Sequence, residues 1–293
     1  MPRTFFIDLP ASFSFTHTIR SHGWYDLAPF EIDNGKSSLR YVIQASEPFN
    51  VAMSEDKGQL KVVYDGAAAD KKQAAASVRH LLRLDDDFDE FYDLLQKHES
   101  LPWVASAKAG RLLRSATVFE DLVKTICTTN CSWALTRKMV SNLVEKIGTP
   151  ASNGRHSFPT AEAMAKIPTE FYREEIKAGY RSPYFAELAT AVVGGEVDPE
   201  SWLHSDLPTS DLKKEMKKIK GVGDYAAENL LKLVGRYDGL ALDSWLRGEF
   251  YKKHNREKKC SDKKIEKHYK RFGEWKGLAI WCDMTERWFP AGR

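Results

Sequence analysis

Two periodicities divide this chain. Its first seventy or so residues hold short runs rich in β-branched and aromatic residues, in which apolar and polar positions partly alternate. These runs are Ser38 to Gln44, Phe49 to Met53 and Leu60 to Tyr64, with Asp56-Lys57-Gly58 as a turn between the last two. A period of two marks a strand with one buried face, so the pattern predicts a small antiparallel sheet. One short helix is expected near Phe13 to Ile19. From Ala67 onward apolar residues recur every three or four positions instead. That spacing predicts helices near 70–82, 87–96, 116–129, 133–147, 160–166, 169–177, 182–193, 208–219, 223–235, 243–254, 261–271 and 276–287. The stretch from Gly148 to Pro159 is rich in Gly, Ser, Asn and Pro and reads as a surface loop. The fold class is α+β, with the sheet at the amino-terminal end of a mostly helical chain.

One pair of helices carries more information than the rest. Thr209 to Lys218 is rich in helix formers, with Leu212, Met216 and Ile219 spaced for one apolar face. Gly221 and Gly223 then bracket Val222, which allows a tight turn with exposed backbone N–H groups. Ala226, Ala227, Leu230, Leu231 and Val234 form the stripe of the second helix, and Gly235 stops it. Free N–H groups at a helix start attract phosphate, and lysines 213, 214, 217, 218 and 220 surround this one. A plain αα-hairpin accounts for the glycines by themselves. Twenty positions beyond Gly223 stands Asp243, in Ala241-Leu242-Asp243-Ser244-Trp245. Taken locally, an aspartate opening a helix is an ordinary N-cap worth ~1 kcal/mol.

The segment resembles the helix-hairpin-helix element of the HhH-GPD superfamily of DNA glycosylases, with Asp243 at the family's aspartate. Three further landmarks follow in the family's order. Leu84-Asp85-Asp86-Asp87-Phe88 resembles the linker between the amino-terminal domain and the helical body. Phe119 to Val123 and Ile126 to Asn130 resemble the first core helix and the turn that enters DNA, and Trp275 to Trp281 resembles the closing helix. The resemblance covers roughly residues 80 to 285. It implies a β-rich domain over 1–83 and a two-lobed helical glycosylase body over 84–293, closest in pattern to alkyladenine and oxoguanine glycosylases.

The resemblance also assigns roles. Asp243 is the catalytic carboxylate that stabilises an oxocarbenium-like transition state and directs water. Strand-cutting members place a nucleophilic lysine two residues beyond the second glycine. Here that residue is Tyr225, and a phenol forms no Schiff base. Tyr225 then reads as a pocket wall, or as a core tyrosine of an amphipathic helix. Trp281 aligns with a tryptophan that stacks on the extruded base, and in Leu278-Ala279-Ile280-Trp281 it equally reads as core. Trp245 reads as core or as pocket lining. Asn130 takes the place of the side chain that fills the gap left by a flipped nucleotide. Lys218, Lys220, Gly221, Val222 and Gly223 form the DNA-backbone contact. The carbonyls of Lys217, Ile219 and Val222 take the positions that hold a structural monovalent cation, Na⁺ or K⁺, in the family. The oxoguanine branch continues the 130 turn with asparagines and an arginine, where this chain has Cys131, Ser132 and Leu135. Cytosine-opposite specificity loses support there.

Composition narrows the setting. Apolar content of 42% and aromatic content of 12% support a packed core. No run of 18 uncharged apolar residues exists, and Met1-Pro2-Arg3-Thr4-Phe5 lacks a secretory signal. The four cysteines at 127, 131, 260 and 282 are too scattered for a disulfide framework or an iron–sulfur cluster. Reduced thiols in an intracellular monomer are expected. The net charge of +3 hides an asymmetry: from Asp211 to Arg293 there are 21 Lys and Arg against 13 Asp and Glu. That third of the chain suits duplex DNA as partner, though a solvated lysine-rich surface looks the same.

The expected activity is monofunctional excision of damaged, alkylated purines, leaving an abasic site and needing no cofactor. Two alternatives stand beside it: an oxoguanine-type glycosylase/lyase that recruits another amine, and a non-catalytic DNA-structure binder on the same fold.

Overall fold

The computed structural model describes residues 1–33, 35 and 37–289. Strands β1 (Arg3–Asp8), β2 (Glu31–Asp33), β3 (Ser38–Ile43), β4 (Phe49–Asp56) and β5 (Gln59–Tyr64) form one antiparallel sheet. Their order is β1-β5-β4-β3-β2. β4 and β5 are a hairpin in register Asp56↔Gln59, closed at Lys57 and Gly58, both with positive φ. The alternation in β4 and β5 sends Val51, Met53, Leu60 and Val62 inward. A short helix α1 (Phe15–Ile19) follows β1, and a 3₁₀ turn at Gly23–Asp26 follows α1. β1 and β2 were not among the expected strands. Both are sheet edges, and Phe6 of β1 faces solvent at 50% exposure, so an apolar residue breaks the alternation there.

The helices that follow the sheet are α2 (Lys71–Leu82), α3 (Asp89–Lys97), α4 (Pro102–Ser106), α5 (Val118–Thr128) and α6 (Trp133–Ile147). The series continues with α7 (Ala161–Ala165), α8 (Thr169–Glu174), α9 (Ser182–Val193) and α10 (Thr209–Lys217). α11 (Asp224–Leu233), α12 (Ser244–His254), α13 (Asp262–Tyr269) and α14 (Lys276–Thr285) complete it. Each helix expected from periodicity is present, with α6 and α9 at the expected bounds. The single-turn α4 is additional; Pro102 starts it after Leu101 adopts positive φ. Among the described residues no helix is long and apolar enough to cross a membrane.

One hydrophobic core runs from the sheet into the body, and two buried polar networks join them. Trp24 Nε1 donates to Asp121 Oδ1 at 2.5 Å, and that oxygen also accepts the Ser115 N–H at 3.0 Å. Tyr41 Oη donates to Glu120 Oε2 at 2.5 Å, while Lys124 Nζ lies 2.6 Å from Glu120 Oε1. The acidic 85–87 run is pinned rather than solvated throughout: Asp86 pairs with Arg83 at 2.6 Å and Arg114 at 3.4 Å. Both arginines also donate to the last carbonyls of α11, Arg83 to Lys232 O at 3.0 Å and Arg114 to Leu233 O at 2.5 Å. Cations at a helix C-terminus complement its dipole and satisfy its orphan carbonyls.

Candidate active site

α10, the turn and α11 form the expected hairpin. Gly221 has φ +89°, and a Cβ there would sit 2.9 Å from the Tyr184 ring, so this position requires glycine. Gly223 is different: its φ is −89°, and a Cβ would meet nothing within 4 Å. Its bareness leaves the first amides of α11 open to solvent. The surrounding lysines are held in ion pairs, Lys217 with Asp224 at 3.0 Å, Lys218 with Glu215 at 2.7 Å and Lys220 with Glu187 at 2.7 Å. Exposed pairs of this kind are worth ~0–1 kcal/mol, so a polyanion exchanges into them at little cost. The Lys217, Ile219 and Val222 carbonyls lie where α10 ends and the chain turns. Ile219 O already accepts the Val222 N–H at 3.0 Å. An all-carbonyl set at a helix C-terminus fits a hard monovalent cation by donor type.

Asn130, with φ +46°, stands exposed at the tip of the turn between α5 and α6. Arg181, almost fully buried, holds the base of that turn by donating to Ile126 O at 3.1 Å and to Thr129 O. Sequence reasoning had not singled out Arg181. Thr128 and Cys131, which flank the tip, line a cavity of about 780 Å³.

That cavity collects the other expected site residues. Asp243, Tyr225, Trp245 and Trp281 all line it. Asp243 is the N-cap of α12, with Oδ1 accepting the Leu246 N–H at 2.7 Å, so the cap and the site aspartate are one residue. The cap fixes one oxygen and thereby the direction of the carboxylate. Tyr225 is 36% exposed, yet its hydroxyl is desolvated and feels the Asp243 carboxylate, which together push its pKa up to about 12. It stays a neutral phenol at physiological pH. Trp281 is held by its Nε1, which donates to Ser21 O at 3.0 Å. The Trp245 and Trp281 rings stand 6.1 Å apart, and Trp288 lies 5.5 Å from Trp245. Trp245 and Trp281 are both half-buried, lining the cavity while packing against the hydrophobic core.

Two parts of the cavity were not foreseen. The first is a wall from the amino-terminal region, His22 to Tyr25. His22 Nε2 donates to Leu113 O at 2.7 Å, and burial lowers its pKa to about 4, so it is neutral. A Cβ on Gly23 would lie 2.4 Å from the Trp133 ring, and Trp133 Nε1 donates to Asp26 Oδ2 at 2.8 Å. The amino-terminal turn and α6 thus meet edge to edge over the cavity.

The second is Lys232. Tyr225, Asn229 and Lys232 lie four and seven positions apart on one face of α11, and all three line the cavity. Lys232 is 2% exposed. Burial lowers its pKa to about 8, opposed by the carboxylates of Glu228 and Asp243. The signal was present: a lysine among Leu230, Leu231, Leu233 and Val234, inside an apolar stripe.

No family model matches the chain. An N-glycosylase/DNA lyase of Saccharomyces cerevisiae is 23% identical over 220 residues, 68% of this chain and 57% of that protein. The chain spans about three fifths of the length of the curated relatives it matches. Among solved structures, the 3-methyladenine DNA-glycosylase from Archaeoglobus fulgidus superposes with a TM-score of 0.78 at 20% identity, over 98% of this chain and all of that one. The apo 8-oxoguanine glycosylase/lyase of Clostridium acetobutylicum superposes with a TM-score of 0.74 at 19% identity, over 96% of this chain and 95% of that one. The chain shares the fold of these glycosylases, with the hairpin and the aspartate twenty positions beyond it set within that fold.

Proposed function

We propose that the protein is a monofunctional DNA N-glycosylase that hydrolyses damaged purines out of duplex DNA. The observation that carries this is the juxtaposition of Asp243 and Tyr225 at an aromatic cavity large enough for one base. The hairpin amides and the exchangeable lysines 218 and 220 hold backbone phosphate, with a monovalent cation on the Lys217, Ile219 and Val222 carbonyls. Asn130 enters the stack, and the extruded base lies against Trp281. The C1′–N bond breaks with its electron pair leaving on the base. Asp243 stabilises the sugar cation, then takes a proton from the water that adds to C1′. The aromatic walls suit the stacking of a damaged purine.

A specific observation favours a second reading. Relatives are named glycosylase/lyases, and Lys232 places an amine in the cavity. The Lys232 backbone stands two helical turns beyond Tyr225, however, about 10 Å of axial rise along α11, which favours the monofunctional reading.

The test is incubation with duplexes containing single lesions, with and without borohydride. Free base should be released with no covalent trapping, and the strand should break only on later alkaline heating. Asp243→Asn should lower single-turnover excision by roughly 10²-fold or more while DNA binding persists. Borohydride trapping of the wild type would replace this reading with the lyase one. Unimpaired excision by Asp243→Asn would remove the aspartate from the mechanism.

A further inference from the structure

We propose that Lys232 is a catalytic, specificity-determining residue: its ammonium donates to an exocyclic carbonyl of the extruded base, so the site selects neutral oxo-purines over cationic alkylated ones. The proposal rests on the glycosylase reading above and narrows it to a substrate class.

Position comes first. α11 starts at the hairpin, where DNA backbone is expected, and Lys232 lies two turns further in on the same face as Tyr225. Helical side chains tilt toward the helix N-terminus, so the lysine reaches back along the cavity toward Tyr225. A base entering past Asp243 and Tyr225 presents its far edge to that amine.

Partners come second. An ammonium has three donors. Among the described residues the acceptor for Lys232 Nζ is Leu240 O at a long 3.4 Å, and no carboxylate stands within ion-pair distance. Such an amine, 2% exposed, retains donor capacity directed into a cavity, and buried polar groups are otherwise satisfied.

Charge comes third. Lys232 Nζ lies 5.8 Å from the centroid of the Trp281 ring, the same ring on which the base would stack. A positively charged alkylpurine would share that ring with the ammonium and be repelled. Leaving-group chemistry agrees. A cationic base leaves as a neutral molecule and needs no help at its far edge. A neutral base leaves with an electron pair, which resonance places on its carbonyl oxygen. A cation fixed there stabilises the departing anion. Around the lysine, Glu228 on its own helix, Asp243 at the head of α12 and Cys282 on α14 are the ionisable groups that favour its charge. His22 is neutral.

The experiment is single-turnover excision from duplexes carrying hypoxanthine, 8-oxoguanine, 7-methylguanine or 3-methyladenine, using wild type, Lys232→Met and Lys232→Gln. Wild type should excise at least one of the two neutral oxo-bases, hypoxanthine or 8-oxoguanine, faster than both cations. Lys232→Met should lose roughly 10²-fold on that base, with the cations unchanged or faster, so that the preference inverts. Lys232→Gln, which keeps a neutral donor and serves if the Met variant does not fold, should fall between. Oxo-base excision by wild type should decline as pH rises through 8, and excision by Lys232→Gln should not. Wild-type preference for the cationic bases, or equal losses on both classes, would overturn this proposal and leave the glycosylase reading standing. Release of none of the four by folded, DNA-binding wild type would overturn both.

Discussion

Among the described residues two lysines are buried in the helical body, and they are buried for different reasons. Lys124, fully inaccessible in α5, lies 2.6 Å from the Glu120 carboxylate one turn earlier and donates to Ser115 Oγ at 3.3 Å. Tyr41 closes the same network from the sheet. Lys232 in α11 has one long bond to a carbonyl and faces a cavity. In the first case the charge belongs to a finished structural joint. In the second it is left underused, and its pKa falls accordingly to about 8. A buried charge without a local partner is costly to the fold, and such a cost persists where something outside the fold completes the contact.

The largest expected effect breaks the first lysine. Lys124→Met leaves Glu120 buried with its carboxyl already pushed up by desolvation, so unfolding free energy should fall by about 3–5 kcal/mol. Denaturant titration measures this, and adding Glu120→Gln should restore most of the loss. A drop below ~1 kcal/mol would mean the pair is no joint at all.

The opposite sign is expected for the second lysine. Lys232→Met conserves volume and removes the underpaired charge, so it should stabilise the protein by about 1–3 kcal/mol near pH 7. The folded pKa is depressed, so the folded state releases its proton first as pH rises. Wild-type stability should therefore climb between about pH 8 and the ordinary lysine value near 10.4, and the advantage of the Met variant should shrink over that window. A Met variant less stable than wild type at pH 7 would make Lys232 a structural residue like Lys124.

A smaller effect separates cap from chemistry at Asp243. Asp243→Ala removes the bond to the Leu246 amide and should cost about 1 kcal/mol. Asp243→Asn keeps a capping oxygen and should cost less, although both variants lose excision. Thermal melts of the two side by side decide it; equal losses of stability would show that the cap contributes nothing.

Much of the molecule was legible in its residues. Apolar spacing located the helices from α2 onward, the single-turn α4 excepted, because apolar residues recur in them every three or four positions, and the hairpin declared itself through Gly221 and Gly223. Asp243, Tyr225 and Trp245 could be named from their spacing after that hairpin, and Trp281 from the resemblance of Trp275 to Trp281 to a closing helix. Edge strand β1 was missed because Phe6 is apolar and exposed. The site's missing parts were of two kinds. Lys232 was visible as a charge inside an apolar stripe, and only its burial shows that it does not snorkel to solvent. His22 to Tyr25 carried no local signal at all. Their place in the cavity depends on the Trp24–Asp121 bond across 97 positions, and no local window of sequence contains both partners.

The Trp281–Ser21 bond spans 260 positions and has a consequence for a chain emerging from the ribosome. The sheet and the first helices can form early, since domains fold as units during synthesis. The cavity cannot, because two of its walls are translated 260 positions apart. A partly synthesised chain can thus present a basic hairpin to nucleic acid while having no place to put a base. In the proposed glycosylase, release of free base therefore reports that two segments 260 positions apart have docked, and an excision assay on refolding protein doubles as a clock for that step.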